Sequence, residues 1–224
     1  TGHSDVISKN DATGEITHKE TPKQYGIKIK KVDSDTQKNE PQGNATLKDA
    51  TFDIIYTGEG TVSFEDDATK HFKKGDVVTT IKTDENGVAQ TSANALYAGT
   101  YQVVETGSPY GYDITDKVLD VTLSNSAEPG TYKDLTVDAK DSFKEKVVRA
   151  GVQITKQDAE LNKSEAIAGT DLEGISFTIT NKSKNSVVVD GKEYAVDEVV
   201  KTIKTHKNDD GSYSAETETN TLPV

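Results

Sequence analysis

The side chains best placed to do chemistry in this sequence are one lysine and two carboxylic acids, each carried on a strand-like stretch. In an extended strand, residues i, i+2 and i+4 share a face. Ile27 and Ile29 therefore point with Lys31, and Tyr101 and Val103 point with Glu105. Leu135, Val137 and Ala139 are in phase with Asp141, and Phe143 follows. A charged lysine is costly to bury alone, which leaves two readings open. In the first, Lys31 joins a buried ion network with one or both carboxylates, or all three emerge into solvent at strand ends. In the second, apolar surroundings lower the lysine pKa from about 10.4 and raise a carboxyl pKa from about 4. A neutral amine then faces a neutral acid near pH 7, and the amine is a nucleophile.

The elements that must position these groups are strands. Of 224 residues, 63 are threonine, valine or isoleucine, whose branched β-carbons suit half-buried pleats over helices. Alternation in Phe52/Ile54, Tyr101/Val103 and Leu119/Val121/Leu123 is the period of two expected of such strands. Turn-forming clusters separate them at Asp84-Glu85-Asn86-Gly87, Ser108-Pro109-Tyr110-Gly111, Pro129-Gly130 and Asn208-Asp209-Asp210-Gly211. Many short strands with regular punctuation predict an all-β chain of β-sandwich type. Tyr194 to Ile203 has helix-like spacing, but its repeat partner beginning Gly75-Asp76-Val77-Val78 has a strand pattern, so both read as strand. The polar excursion from Gly58 to Lys74 is expected to hold a short helical turn around Asp66 to Phe72. Only 32% of residues are apolar, so the core must be thin, and with no cysteine something other than disulfides must brace it.

An internal repeat organises the chain. Gly26-Ile27-Lys28-Ile29-Lys30-Lys31-Val32-Asp33 matches Gly151-Val152-Gln153-Ile154-Thr155-Lys156-Gln157-Asp158 at an offset of 125. Thr51-Phe52-Asp53-Ile54 matches Ser176-Phe177-Thr178-Ile179, Val77 to Thr83 matches Val199 to Thr205, and Asn94 to Ala98 matches Asn220 to Val224. The expected organisation is a tail of a preceding module or linker over 1–24, a complete module over 25–148, and a second module over 149–224 that stops before its last strands. Lys156 takes the place of Lys31 in the second copy, while the counterparts of Glu105 and Asp141 fall past Val224. The shortened copy is expected to present unpaired strand edges.

These residues resemble a known family. Ile27-x-Ile29-x-Lys31-x-Asp33, Ala50-Thr51-Phe52-Asp53-Ile54, Asp84-Glu85-Asn86-Gly87, Ala98 to Thr106 and Pro109-Tyr110-Gly111-Tyr112 are similar to the B-type domain of Gram-positive collagen adhesins and the SpaA-like domains of sortase-assembled pilins. The resemblance implies Ig-like or prealbumin-like Greek-key β-sandwich modules in tandem. It also implies a spontaneous isopeptide bond between a lysine of the first strand and an Asn or Asp of the last, assisted by a glutamate. On that basis Lys31 is the nucleophile and Glu105 the proton shuttle. Asp141-Ser142-Phe143 has the family's acceptor-then-aromatic pattern; Asp138 is the runner-up, on a face shared with Thr136 and Asp134. The implied setting is extracellular, at the cell wall of a Gram-positive bacterium, with neighbouring modules, a sortase and a host-matrix ligand as candidate partners. A structural stalk is the favoured reading, and an adhesive module with the Gly58–Lys74 excursion as its surface is the rival.

Other functions are disfavoured. A net charge of -12 with one arginine, Arg149, and no basic cluster offers no footprint for nucleic acid. Apolar runs of three or four residues, as at Val187-Val188-Val189, insert nothing into a bilayer. His3, His18, His71 and His206 lack metal-ligand spacing, and the acidic clusters Glu65-Asp66-Asp67 and Asn208 to Gly211 lack the spaced pattern of a calcium loop. No cofactor or metal is expected. Leu222-Pro223-Val224 is like the start of a sorting signal but aligns with a strand entry, and Thr21-Pro22-Lys23-Gln24 lacks the flanking residues of a polymerisation motif. Turnover of an external substrate is not expected, because the proposed reaction consumes its own residues once.

Overall fold

The computed structural model describes residues 8–9, 16–17, 22–65, 67–135, 143–164, 166–168 and 170–224, and every regular element among them is a strand. β1 (Ser8–Lys9) and β2 (Ile16–Thr17) form a small antiparallel pair. The next thirteen strands are β3 (Gln24–Lys30), β4 (Val32–Asp33), β5 (Thr51–Tyr56), β6 (Thr61–Phe64), β7 (Asp67–Lys73), β8 (Val77–Lys82), β9 (Val88–Gln90), β10 (Leu96–Tyr97), β11 (Gly99–Gly107), β12 (Tyr112–Asp113), β13 (Val118–Leu123), β14 (Tyr132–Asp134) and β15 (Lys144–Val147). One sheet has the order β14-β3-β10-β6-β7, with β9 also on β3; the second runs β13-β11-β5-β8. A short third sheet, β12-β15-β4, closes the end of the sandwich.

The core lies between the two large sheets and is built by the expected alternation. β13 buries Leu119, Val121 and Leu123 and exposes the residues between them, and β5 buries Phe52, Ile54 and Tyr56. These meet Tyr25, Ile27, Ile29 and Leu96 of the opposite sheet. A smaller cluster of Ala45, Leu47, Tyr112 and Val147 fills the closed end.

The first and last strands of this sandwich are neighbours and run parallel. β14 pairs with β3 through Asp134↔Lys28, and β15 pairs with β4 through Lys144↔Val32. Leu135 N–H donates to the Lys28 carbonyl at 2.8 Å, and Val32 N–H donates to the Phe143 carbonyl at 3.4 Å. Asp138 and Asp141 fall in 136–142, outside the described residues.

One expectation is corrected. Where a helical turn is expected around Asp66 to Phe72, the described residues from Asp67 onward are instead the second strand of a hairpin, β6–β7, in which Val62 pairs with Phe72 and Glu65 has a φ of 53°. Seven residues are too few to hold a helix by themselves. As a strand, the same stretch satisfies its backbone against β6, while Phe64 and Phe72 reach the core.

The remaining strands are β16 (Arg149–Ala150), β17 (Gln153–Lys156), β18 (Ser176–Thr180), β19 (Val187–Val189), β20 (Lys192–Tyr194), β21 (Val199–Lys204), β22 (His206–Lys207), β23 (Tyr213–Glu216) and β24 (Leu222–Pro223). Their pairings repeat those of the first half. Phe52↔Ile81 recurs as Phe177↔Ile203, Ile29↔Ala89 as Ile154↔Ala215, and Tyr25↔Leu96 as Ala150↔Leu222. Val199–Lys204 is a strand, as read from its repeat partner. Among the described residues, β18 has a neighbour only in β21, whereas β5 is held between β8 and β11.

Candidate functional site

Strand phase delivers Lys31 and Glu105 to the same buried point. Lys31 follows β3 in step with Ile27 and Ile29 and is 0% exposed; Glu105 follows Tyr101 and Val103 along β11 and is 4% exposed. Lys31 Nζ donates to Glu105 Oε1 at 2.8 Å, and Glu105 Oε2 accepts the N–H of Thr115 at 3.0 Å. Both carboxylate oxygens thus have a donor, as a buried carboxylate requires.

The walls of the site are aromatic. Glu105 lies opposite Phe52 in the β11–β5 ladder. The Phe52 and Phe143 rings meet edge to face at 4.9 Å, and Lys31 Nζ lies 5.1 Å and 5.7 Å from their centroids. Burial among these rings disfavours the ammonium and lowers the Lys31 pKa to about 8, although the charge and hydrogen bond of Glu105 pull it upward. A lysine with that pKa is uncharged in roughly a tenth of molecules at pH 7.

The backbone of Lys31 is pinned as firmly as its side chain. Its N–H donates to the Gly87 carbonyl at 2.9 Å, and its carbonyl accepts from Asn39 Nδ2 at 2.6 Å. Gly87 has a φ of +67°, and a β-carbon there would approach Leu47 Cβ at 2.8 Å and Asn39 Nδ2 at 2.9 Å. The Asp84-to-Gly87 turn therefore needs its glycine to hold the lysine strand in register.

A family model described as the SpaA prealbumin-like fold domain matches residues 25–140. The chain belongs to this family. The match takes in Lys31 and Glu105 and the strands from β4 to β14, and stops short of Phe143 and β15. Among solved structures, the chain is similar to the Bacillus anthracis TIE protein, at 16% identity and a TM-score of 0.46 over 98% of this chain and 35% of that one. It is also similar to a streptococcal ancillary pilin (20%, TM-score 0.39, 95% of this chain and 56% of that one). The full-length major pilin SpaD from Corynebacterium diphtheriae is a third (15%, TM-score 0.38, 87% and 51%). The chain thus spans between about a third and just over half the length of these proteins. Among curated proteins no relative matches it.

Lys156, which matches Lys31 in the internal repeat, has other surroundings. Lys156 is half-buried on β17, with Nζ 3.5 Å from the Gln157 carbonyl, and Val152, just before that strand, is 38% exposed. Across the β17–β23 ladder Lys156 lies opposite the buried Tyr213, where Lys31 has the rings of Phe52 and Phe143.

Sequence reasoning missed a second buried polar cluster two residues along the same strand. Asp33 is fully buried; its Oδ1 accepts the N–H groups of Asp35 and Thr36, and its Oδ2 accepts the Tyr112 hydroxyl at 2.9 Å. Gln42 Nε2 donates to both oxygens at 3.1 and 2.9 Å. Burial and the Asp33 charge both push the Tyr112 hydroxyl pKa upward, so it remains a donor. Asp33 shares the pleat phase of Lys31, which was the available signal.

Proposed function

We propose that this chain is a structural stalk segment of a cell-wall-anchored surface protein or pilin of a Gram-positive bacterium, braced by a self-formed amide between Lys31 and Asp141. We assign it a complete module over 25–148, a shortened one over 149–224, and a remnant or linker over 1–24. The observation that carries the reading is Lys31 itself. It is a fully buried amine, 2.8 Å from a buried carboxylate and lined by two phenylalanine rings, on a strand whose flanks pair with the last strand of the sandwich.

The chemistry balances with the chain's own groups. Lys31 passes a proton to Glu105 and becomes a neutral amine. Its lone pair attacks the Asp141 carboxyl carbon, forming the C–N bond, while protonated Glu105 hydrogen-bonds the developing oxyanion. With Asp141 in its protonated form, the C–O bond breaks as Glu105 gives its proton to the leaving hydroxyl, and one water departs. Glu105 then takes the extra proton left on the nitrogen, so a neutral amide remains beside a neutral glutamic acid. Orientation in a water-poor site supplies most of the rate. Asp141 is favoured as acceptor because a residue two before the fully buried Phe143 shares its phase in an extended chain. Asp138, the runner-up, is out of phase with both Leu135 and Phe143. The reaction occurs once per molecule, so the chain is not an enzyme in the turnover sense.

The stalk is preferred over a ligand-binding module because of the β6–β7 hairpin. Its described large apolar side chains, Val62, Phe64 and Phe72, pack toward the core, and its exposed residues include Lys70, His71, Lys73 and Glu65. An aromatic patch of the kind that anchors partners is absent among those described residues. Intact mass tests the proposal: the folded protein should weigh one water less than its sequence, and Lys31→Ala should restore the full mass. A folded parent protein with the full sequence mass would overturn it.

A further inference from the structure

The two halves of the chain meet through a small set of groups that the cross-link does not use. β15 ends at Val147 and β16 begins at Arg149, so a single residue, Val148, connects them. Even that residue is held, its N–H donating to Gly111 at 2.9 Å and its carbonyl accepting from Val224 at 3.1 Å. Beside it, the loop 41–46 of the first half lies along the hairpin β19–β20 and the segment leading into it. Gly43 N–H donates to the Ser186 carbonyl at 3.0 Å, Asn185 N–H to the Gly43 carbonyl at 3.1 Å, and Asn44 N–H to the Val224 carbonyl at 3.2 Å. At Gly43, with φ at +58°, a β-carbon would come within 2.5 Å of the Val224 carbonyl oxygen, so the approach is close.

Two side chains complete the contact. Gln42 is buried in the first half with its amide nitrogen on Asp33 and on Asp35 Oδ2 at 2.8 Å; its amide oxygen accepts the Val188 N–H across the junction at 2.7 Å. Acceptors on one side and a donor on the other fix which way the amide faces. Arg149 spans the same place, donating through Nη2 to Asp35 at 2.7 Å and through Nη1 to the carbonyls of Val188 and Thr221 at 2.8 Å each. Both backbone groups of Val188 are therefore satisfied by side chains, one from each side of the connection. Linked domains move relative to one another by default unless an interface prevents it. At the same places in the first half the sequence has Ser63 instead of Val188 and Gln24 instead of Arg149, so this arrangement belongs to one junction and not to the hairpin in general.

We infer that the two halves form one rigid body in solution, locked by Gln42 and Arg149, with Asp33 positioning the glutamine. The lock is independent of the amide. It makes the joint a set angle, not a swivel, and so fixes the direction in which one half continues from the other.

The absence of native cysteines makes the test clean. Spin labels on cysteines introduced at the exposed positions Glu128 and Lys204 of the full chain report the distance between halves by pulsed electron resonance. A single narrow distribution is expected, broadening at least twofold in Gln42→Ala/Arg149→Ala while hydrogen-exchange protection of the core strands stays unchanged. Arg149→Lys, which keeps the charge but cannot reach all three acceptors, should broaden it to a lesser degree and serves as the deciding variant if the double variant loses structure. A distribution already broad in the parent, or one left equally narrow by the deciding variants, would overturn the inference.

Discussion

Replacing Asp141 by alanine removes the proposed brace while leaving the Lys31–Glu105 pair in place. The amide closes a loop of about 110 residues, and a cross-link of that length stabilises by about 5 kcal/mol through the entropy it removes from the unfolded chain. A domain of about 125 residues unfolds with an entropy of about 0.26 kcal/mol/K, so the midpoint should fall by about 20 °C. Calorimetry of the parent and Asp141→Ala, with intact mass on the same samples, reads both quantities. The unlinked variant should also gain a pH dependence. Its lysine titrates at about 8 when folded and 10.5 when unfolded. Between those values the unfolded chain binds more protons, so stability rises with pH across that window, by up to about 3 kcal/mol. Below pH 8 the lysine is protonated in both states and the burial penalty is constant. The amide of the parent has no such proton, and Lys31→Met/Asp141→Ala serves as the reference that cancels other groups. Midpoints of parent and Asp141→Ala within about 3 °C of each other, against the value expected from the loop length, would refute the reasoning.

Further outcomes test other parts of the site. Glu105→Gln keeps the side-chain volume and an acceptor for Thr115 but cannot take the lysine proton, so mass spectrometry should find the full sequence mass. Asp138→Ala should retain the loss of one water, and if it abolishes that loss while Asp141→Ala does not, the acceptor assignment is exchanged. Phe52→Ala should cost about 3–5 kcal/mol by denaturant titration, because the ring fills the core between Phe143 and Lys31, and should slow amide formation in refolded protein as water enters. Tyr112→Phe removes the hydroxyl that donates to Asp33 and accepts from the Gln42 N–H, and should lower stability by about 1–3 kcal/mol in urea while leaving the mass unchanged.

What was legible in the sequence followed from the period of two. The burial of Lys31 and Glu105, the alternation in β13 and the strand at Val199–Lys204 could all be read from local phase or from the repeat. The β6–β7 hairpin was not, because Phe72 is brought inward by pairing with Val62, ten residues away, and no local pattern announces that partner. The Asp33 cluster was half legible. Asp33 is in phase with Lys31, but Gln42 and Tyr112 come from loops and short strands whose side-chain directions no period sets. Arg149 stood out as the single arginine only as a count, since its three acceptors lie as far as 114 residues away in sequence.

The parallel pairing of β3 with β14 and of β4 with β15 determines what happens when the sandwich is pulled by its two ends. The chain enters at Gln24 and leaves at Val147 along neighbouring strands, so tension slides them past each other and loads their hydrogen bonds together in shear instead of opening them one by one. Were the proposed amide to join Lys31 to the last strand, tension would cross from one strand to the other at that bond. The residues between the two linked positions, which make up most of the sandwich, would then lie outside the load path and stay folded while the ends are drawn apart.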